Sequence, residues 1–153
     1  MASFKEIESL VNDPQSIKIL VTVSADGIVH AVPKGTIHTD EAGNIEYAEL
    51  FESSQSYRNI TASLWFNKKA AILIIGENGA AYEVSGSIKT ILVAGRKFEE
   101  AYKKIEAEKG FDIAAVIKIV PESVEDLNPR KKFAEQEETH FFYKHLDRIA
   151  KQA

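Results

Sequence analysis

The segment around Asn78-Gly79 constrains the fold more than any other part of the chain. Six apolar residues at 70–75 lead into Glu77-Asn78-Gly79, and the residues beyond alternate, with Ala80, Tyr82, Val84 and Ile88 on one face and Glu83, Ser85, Ser87 and Lys89 on the other. Asn-Gly suits the positive backbone angles of a tight hairpin turn, and strict alternation is the period of a half-covered strand. The run at 70–75 lacks alternation and is expected to be covered on both faces. Gly86 marks a bulge or a close backbone approach within the second strand.

More strands follow the same logic. β-branched residues dominate 17–24, Ala25-Asp26-Gly27 supplies a turn, and 28–38 resumes the strand pattern, giving a second hairpin. A turn at 39–44 leads to a third strand of that meander at 45–50, and 113–120 is the last strong strand. Helices are few. Ser3 and Glu6 have capping-box spacing ahead of Phe4, Ile7 and Val11, and Tyr57, Ile60 and Leu64 share a helical face after Ser53-Ser54-Gln55-Ser56. Phe98, Ala101, Tyr102 and Ile105 align in a helix at 95–109, and Phe142, Leu146 and Ile149 align in one at 135–151, after a solvated connector at 128–138. Six strand-like segments joined mostly by hairpins favour a closed or nearly closed antiparallel barrel, mainly β with peripheral α.

The 153 residues suit one domain, with a core over 15–124 and a C-terminal helical arm over 128–153. A net charge of −4 disfavours nucleic acid, whose binding begins with neutralising phosphates. The absence of Cys excludes disulfides, thiolate chemistry and cysteine metal sites, so redox work would fall to a cofactor. The N-terminus lacks a secretory pattern and no apolar run is long enough for a transmembrane helix, which makes the cytoplasm the expected location.

Two places hold candidate chemistry. In 28–38, Val29, Ala31, Pro33, Gly35 and Ile37 form one face suited to the barrel core, while His30, Lys34, Thr36 and His38 place donors on the other. A half-exposed strand with no ligand shows the same alternation. Pro33 points to an edge or bulge. The second place is the loop 49–56, where hydroxyl residues ahead of a helix N-terminus suit a phosphate, with Arg58 in the first turn. Plain N-capping by Ser54 or Ser56 is the alternative.

In order and spacing, 19–27, then His30-Ala31-Val32-Pro33, Ile45-Glu46-Tyr47-Ala48, Ser56-Tyr57-Arg58-Asn59-Ile60 and Tyr82-Glu83-Val84-Ser85-Gly86-Ser87 resemble the FMN-binding split-barrel family related to pyridoxamine 5′-phosphate oxidase. The resemblance covers roughly the first two-thirds of the chain. It implies a six-stranded Greek-key split barrel, a homodimer, and FMN in grooves at the dimer interface. Pro33, Lys34, Gly35 and Thr36 would run along the ring and ribityl chain, Glu49, Leu50 and Phe51 would border the ring, and Gln55 and Ser56 would face the phosphate. Gln55 stands where many members carry a lysine, and Lys34 or Arg58 is expected to supply the charge instead.

No catalytic acid or base stands out, and no metal site is read: His140 and His145 are five apart and do not share a helical face as an i, i+4 pair does. Arg130-Lys131-Lys132 reads as a solvated turn, and Trp65 and Phe66 as core or dimer contacts. Ser/His/Asp, Gly-x-Gly-x-x-Gly and P-loop patterns are absent. The resemblance implies a flavin-dependent oxidoreductase using a small substrate, with NADH or NADPH as donor. A flavin carrier or sensor without turnover, and a split barrel that handles haem, are the alternatives.

Overall fold

The computed structural model describes residues 3–66 and 69–140. Seven antiparallel strands form one curled sheet in the order β2-β1-β5-β6-β7-β4-β3. They are β1 (Ile17–Val23), β2 (Val29–Pro33), β3 (His38–Thr39), β4 (Ile45–Glu49), β5 (Lys69–Ile75), β6 (Ala81–Leu92) and β7 (Ala115–Asp126). Four helices accompany them: α1 (Phe4–Val11), α2 (Gln55–Ser63), α3 (Arg96–Lys109) and α4 (Pro129–His140).

The count is seven and not six because 28–38 is not one strand. β2 pairs with β1 at one margin of the sheet, whereas β3 pairs with β4 at the other. The change of margin happens within two residues. Lys34 still donates its N–H to the Lys18 carbonyl (2.9 Å), and Thr36 already meets Ala48, its Oγ1 donating to the carbonyl (3.1 Å) and accepting from the N–H (3.0 Å). A span of two residues is at most about 7 Å, so the two margins of the curled sheet meet at Gly35. Chain, not a ladder, closes the barrel. Pro33 ends an edge strand, where its missing N–H costs nothing.

Leu20, Ile72, Ile74, Val84, Ile117 and Ile119 fill the interior, joined by Ile7 and Val11 of α1 and Ile60 of α2. Fully burying such a side chain contributes roughly 1.5–3 kcal/mol. Strand parity then fixes what points out. Leu20 pairs with inward Val32, so Val29, Ala31 and Pro33 face outward and are exposed. This reverses the expected core placement of Val29, Ala31 and Pro33, and Gly35 is exposed as well, whereas Ile37 of the same set is buried in the core as expected. β5 is likewise not covered on both faces: Ala70, Ile72 and Ile74 are buried, while Ala71, Leu73 and Ile75 are only half-buried.

Local sequence accounts for the turns. Asn78 (φ 57°) and Gly79 (φ 78°) both take the left-handed region that Asn-Gly tolerates. The register of β6 against β7 shifts at Gly86, opposite Pro121, so β7 runs on to Asp126 and does not stop at 120. Proline is accommodated there because the bulge interrupts the ladder. α3 packs Ile105 against Ala48, Ile113 and Val116 on the outside of β4 and β7. α4 begins at Pro129, within the stretch expected to be a connector, because Asn128 caps it: its Oδ1 accepts from the Arg130 N–H (3.0 Å). Apart from half-buried Glu137, its residues from Pro129 to Thr139 are exposed. The His140 side chain and residues Phe142, His145, Leu146 and Ile149 lie outside the described residues. Trp65 is 91% exposed and takes no part in the core.

Candidate functional site

Glu49 organises the polar end of the barrel. Parity puts it on the side of Ile45 and Tyr47, facing inward at the last position of β4, with 0% exposure. A carboxylate so placed must be fully hydrogen-bonded. Its Oε1 accepts from Lys34 Nζ (2.6 Å) and Ser54 Oγ (2.9 Å), and its Oε2 accepts from Ser56 Oγ (3.0 Å) and Tyr47 OH (3.3 Å). These four donors match the four lone-pair sites of a carboxylate. Burial, and then the neighbouring Glu49 carboxylate, push the Tyr47 phenol well above its ordinary range, so it acts there as a neutral donor. Lys34 Nζ also lies 5.8 Å from the centroid of the Tyr47 ring, within cation–π range.

The α2 N-terminus is bound into the same cluster. Ser54 is the N-cap, its Oγ accepting from the Tyr57 N–H (3.1 Å) while donating to Glu49. The buried face of this helix is Ser56, Asn59, Ile60 and Ser63. Of the expected apolar face, Ile60 is buried and Tyr57 packs against the core, whereas Leu64 is exposed and polar Asn59 joins the buried side, its Nδ2 donating to Thr22 Oγ1 of β1 (3.0 Å). Gln55 is exposed, and its Nε2 donates to Asn59 Oδ1 (2.8 Å). Arg58 is exposed and makes no ion pair among the described residues.

The residues expected to hold a cofactor therefore fall into three groups. Lys34, Glu49 and Ser56 are joined directly in the buried cluster, with Ser54 as a member the spacing suggested only as a cap. Pro33 and Gly35 are exposed at the seam, next to half-buried Thr36. The N–H groups of Gly35 and Thr36 have no hydrogen-bond partner among the described residues. Leu50 is half-buried against the cluster around Ile105, and Phe51, Gln55 and Arg58 are exposed, Phe51 at 58%. Tyr47, Asn59 and Thr22 were not singled out as site residues. Inward parity from Leu20 marks Thr22, whereas nothing in the sequence marks Asn59 as its partner.

A groove of about 720 Å³ opens beside the seam, between the 35–42 segment, β4 and α3. Gly35, Thr36, Ile37, Tyr47, Ala48 and Ile105 are among its walls, as are lysines of α3, of which Lys109 reaches Gly35. At its far side Lys118 pairs with Asp40 (2.9 Å). Burial acts to raise the Asp40 carboxyl, but the hydrogen bonds from Lys118 and Asn44 outweigh it and bring the group down to about 2.

With this geometry the chain is similar to several solved structures. It matches HupZ of Group A Streptococcus with a TM-score of 0.69 and 24% identity, over 84% of this chain and 96% of that one. An FMN-binding protein of Syntrophomonas wolfei matches at 0.65 and 14%, over 81% and 85%. A pyridoxamine 5′-phosphate oxidase candidate from Listeria innocua matches at 0.62 and 21%, over 82% and 98%. The fold is the pyridoxamine 5′-phosphate oxidase-like split barrel. The split barrel is shared too by HutZ, the haem storage protein of Vibrio cholerae, at 0.55 and 12%, over 82% and 95%. No family model and no curated protein matches the sequence. Among the described residues no helix is long and apolar enough to cross a membrane.

Proposed function

We propose that this split barrel binds a flavin of the FMN class along the seam between β2 and β3, as a homodimer, and serves as a flavin-dependent oxidoreductase. The observation that carries the reading is the unpartnered pair of backbone N–H groups at Gly35 and Thr36, where Thr36 bonds Ala48, just ahead of the apolar Leu50-Phe51 in the chain. A flat heterocycle with acceptors on its edge and apolar faces matches that combination. The exposed glycine lets a ring approach the backbone closely. The FMN-binding protein of S. wolfei, built on the same fold, adds support.

A bound flavin supplies the two-electron redox chemistry, and the protein supplies position. Gly35 and Thr36 would hold the ring edge, Leu50 and Phe51 would exclude water from it, and Lys34, fixed by Glu49, would fix the seam. Gln55 and Arg58 would border the far end of the ligand.

Support for the homodimer lies in the outward face of β2, β1 and β5. Ile19 sits opposite Pro33 and Leu73, and Val21 opposite Ala31 and Ala71, giving an apolar surface across three strands. Such contiguous apolar surface suits a second copy of the chain, which would also cover the seam.

Purified protein is expected to be yellow, or to become so with added flavin, with an oxidised-flavin spectrum that bleaches with NADH or NADPH and recovers with an acceptor. Bleaching by dithionite alone would favour a carrier. Protein that takes up no flavin and gains a haem absorption band with haemin would overturn the reading in favour of haem handling, the alternative that the likeness to HutZ supports.

A further inference from the structure

We infer that the flavin site does not select for a terminal phosphate, so riboflavin and FMN bind with similar affinity; this rests on the flavin reading above. The side-chain donors near the start of α2 are largely engaged, the serine hydroxyls fully, Lys34 Nζ with one of its three N–H groups and Gln55 with one of its two. Lys34 Nζ, the Ser54 hydroxyl and the Ser56 hydroxyl all donate to Glu49, at 2.6, 2.9 and 3.0 Å. The Gln55 amide donates to Asn59 at 2.8 Å. A phosphate that took the Ser54 and Ser56 hydroxyls would take them from a carboxylate with 0% exposure, which would then be buried and underbonded.

Charge points the same way. Lys34 and Glu49 neutralise one another, and the charged residues that flank the α2 N-terminus in the chain, Glu52 and Arg58, are both exposed and of opposite sign. A dianion at this end meets no net positive charge. The first-turn N–H groups of α2 remain, but the dipole they represent is worth only about half a charge and lies beside the Glu49 carboxylate. A hydroxyl end, as in riboflavin, asks for nothing the site lacks.

The test is titration of the full chain with riboflavin and with FMN, followed by flavin fluorescence, alongside Gln55→Lys. Dissociation constants within tenfold of each other are expected for the wild-type chain. Gln55→Lys, at an exposed position that leaves the Glu49 cluster intact, is expected to tighten FMN by tenfold or more and leave riboflavin unchanged. A wild-type preference for FMN above tenfold overturns the inference and leaves the flavin reading standing. A Gln55→Lys variant that fails to gain FMN affinity, or gains equally for both flavins, overturns the placement of the phosphate end. Binding of neither flavin overturns the flavin reading itself, and this inference with it.

Discussion

Lys34 and Glu49 meet at 2.6 Å although each belongs to a different margin of the sheet: Lys34 is bonded through its backbone to β1, and Glu49 ends β4. Their ion pair therefore fastens the seam from within, one residue away from the glycine where the chain crosses it. Replacing Lys34 with Met leaves the carboxylate with hydroxyl donors alone, and should cost about 3 kcal/mol in urea unfolding. Adding Glu49→Gln to Lys34→Met should recover part of that loss, because the uncompensated charge is gone. A double variant that loses the sum of the two single effects would show that the pair is not coupled.

Asp40 predicts an acid limb. Its carboxyl is held at about 2, below its ordinary value of 3.8, so the folded state binds its proton less readily than the unfolded chain does. The resulting stabilisation is full above the unfolded value and is lost as pH falls through the folded one. Asp40→Asn should accordingly melt below the wild-type chain at neutral pH, with the gap closing between about pH 5 and pH 2. Melting curves by circular dichroism that keep a constant gap over that range would remove Asp40 from the account.

Gly86 has no space for a side chain. A Cβ there would lie 2.5 Å from the Val120 carbonyl oxygen and 2.8 Å from Ile119 Cγ2. Backbone cannot yield as a flexible side chain can, so Gly86→Ala should destabilise by about 1–3 kcal/mol or more, with an unchanged denaturant slope. Near wild-type stability would mean that the β6–β7 bulge adjusts freely.

The outward face of β1 should decide the oligomeric state. Val21→Lys places a charge at the middle of the apolar surface without touching the interior, where its neighbours Leu20 and Thr22 point. Light scattering at micromolar concentration should give a dimer for the wild-type chain and a monomer for Val21→Lys, with the same far-ultraviolet spectrum. A wild-type monomer would sink the dimer outright.

What could be read from the sequence divides along a physical line. Turns are local, so Asn78-Gly79, the bulge at Gly86 and the reciprocal Ser3–Glu6 cap, with the Ser3 N–H donating to Glu6 Oε2 at 3.2 Å, were legible from neighbouring residues alone. Which face of β2 points inward was not, because Val29, Ala31 and Pro33 are apolar and yet lie outside. An apolar stripe reports burial without saying whether the cover is the core or another molecule. The break of 28–38 into two strands was hidden for a related reason: Thr36 keeps the pairing register with Ala48 but serves it through a side chain, which no period reveals. In the site, the resemblance assigned Lys34, Glu49 and Ser56 separately to different parts of a ligand; that they bond one another follows only from inward parity at the end of β4 and the turn into α2.

The two-residue crossing at Gly35 has a mechanical consequence. Every other boundary between neighbouring strands in the order is held at a fixed spacing by a row of hydrogen bonds, whereas this one is held by covalent length, by the Lys34–Glu49 ion pair and by α2, whose side chains bond Glu49 on one side and Thr22 on the other. Rotation about the backbone of a single glycine can change the width of the opening without breaking any strand pairing. The barrel thus has one adjustable joint in an otherwise stiff wall, and it coincides with the place where donors are free. Guests of different girth could be received there without remodelling the sheet.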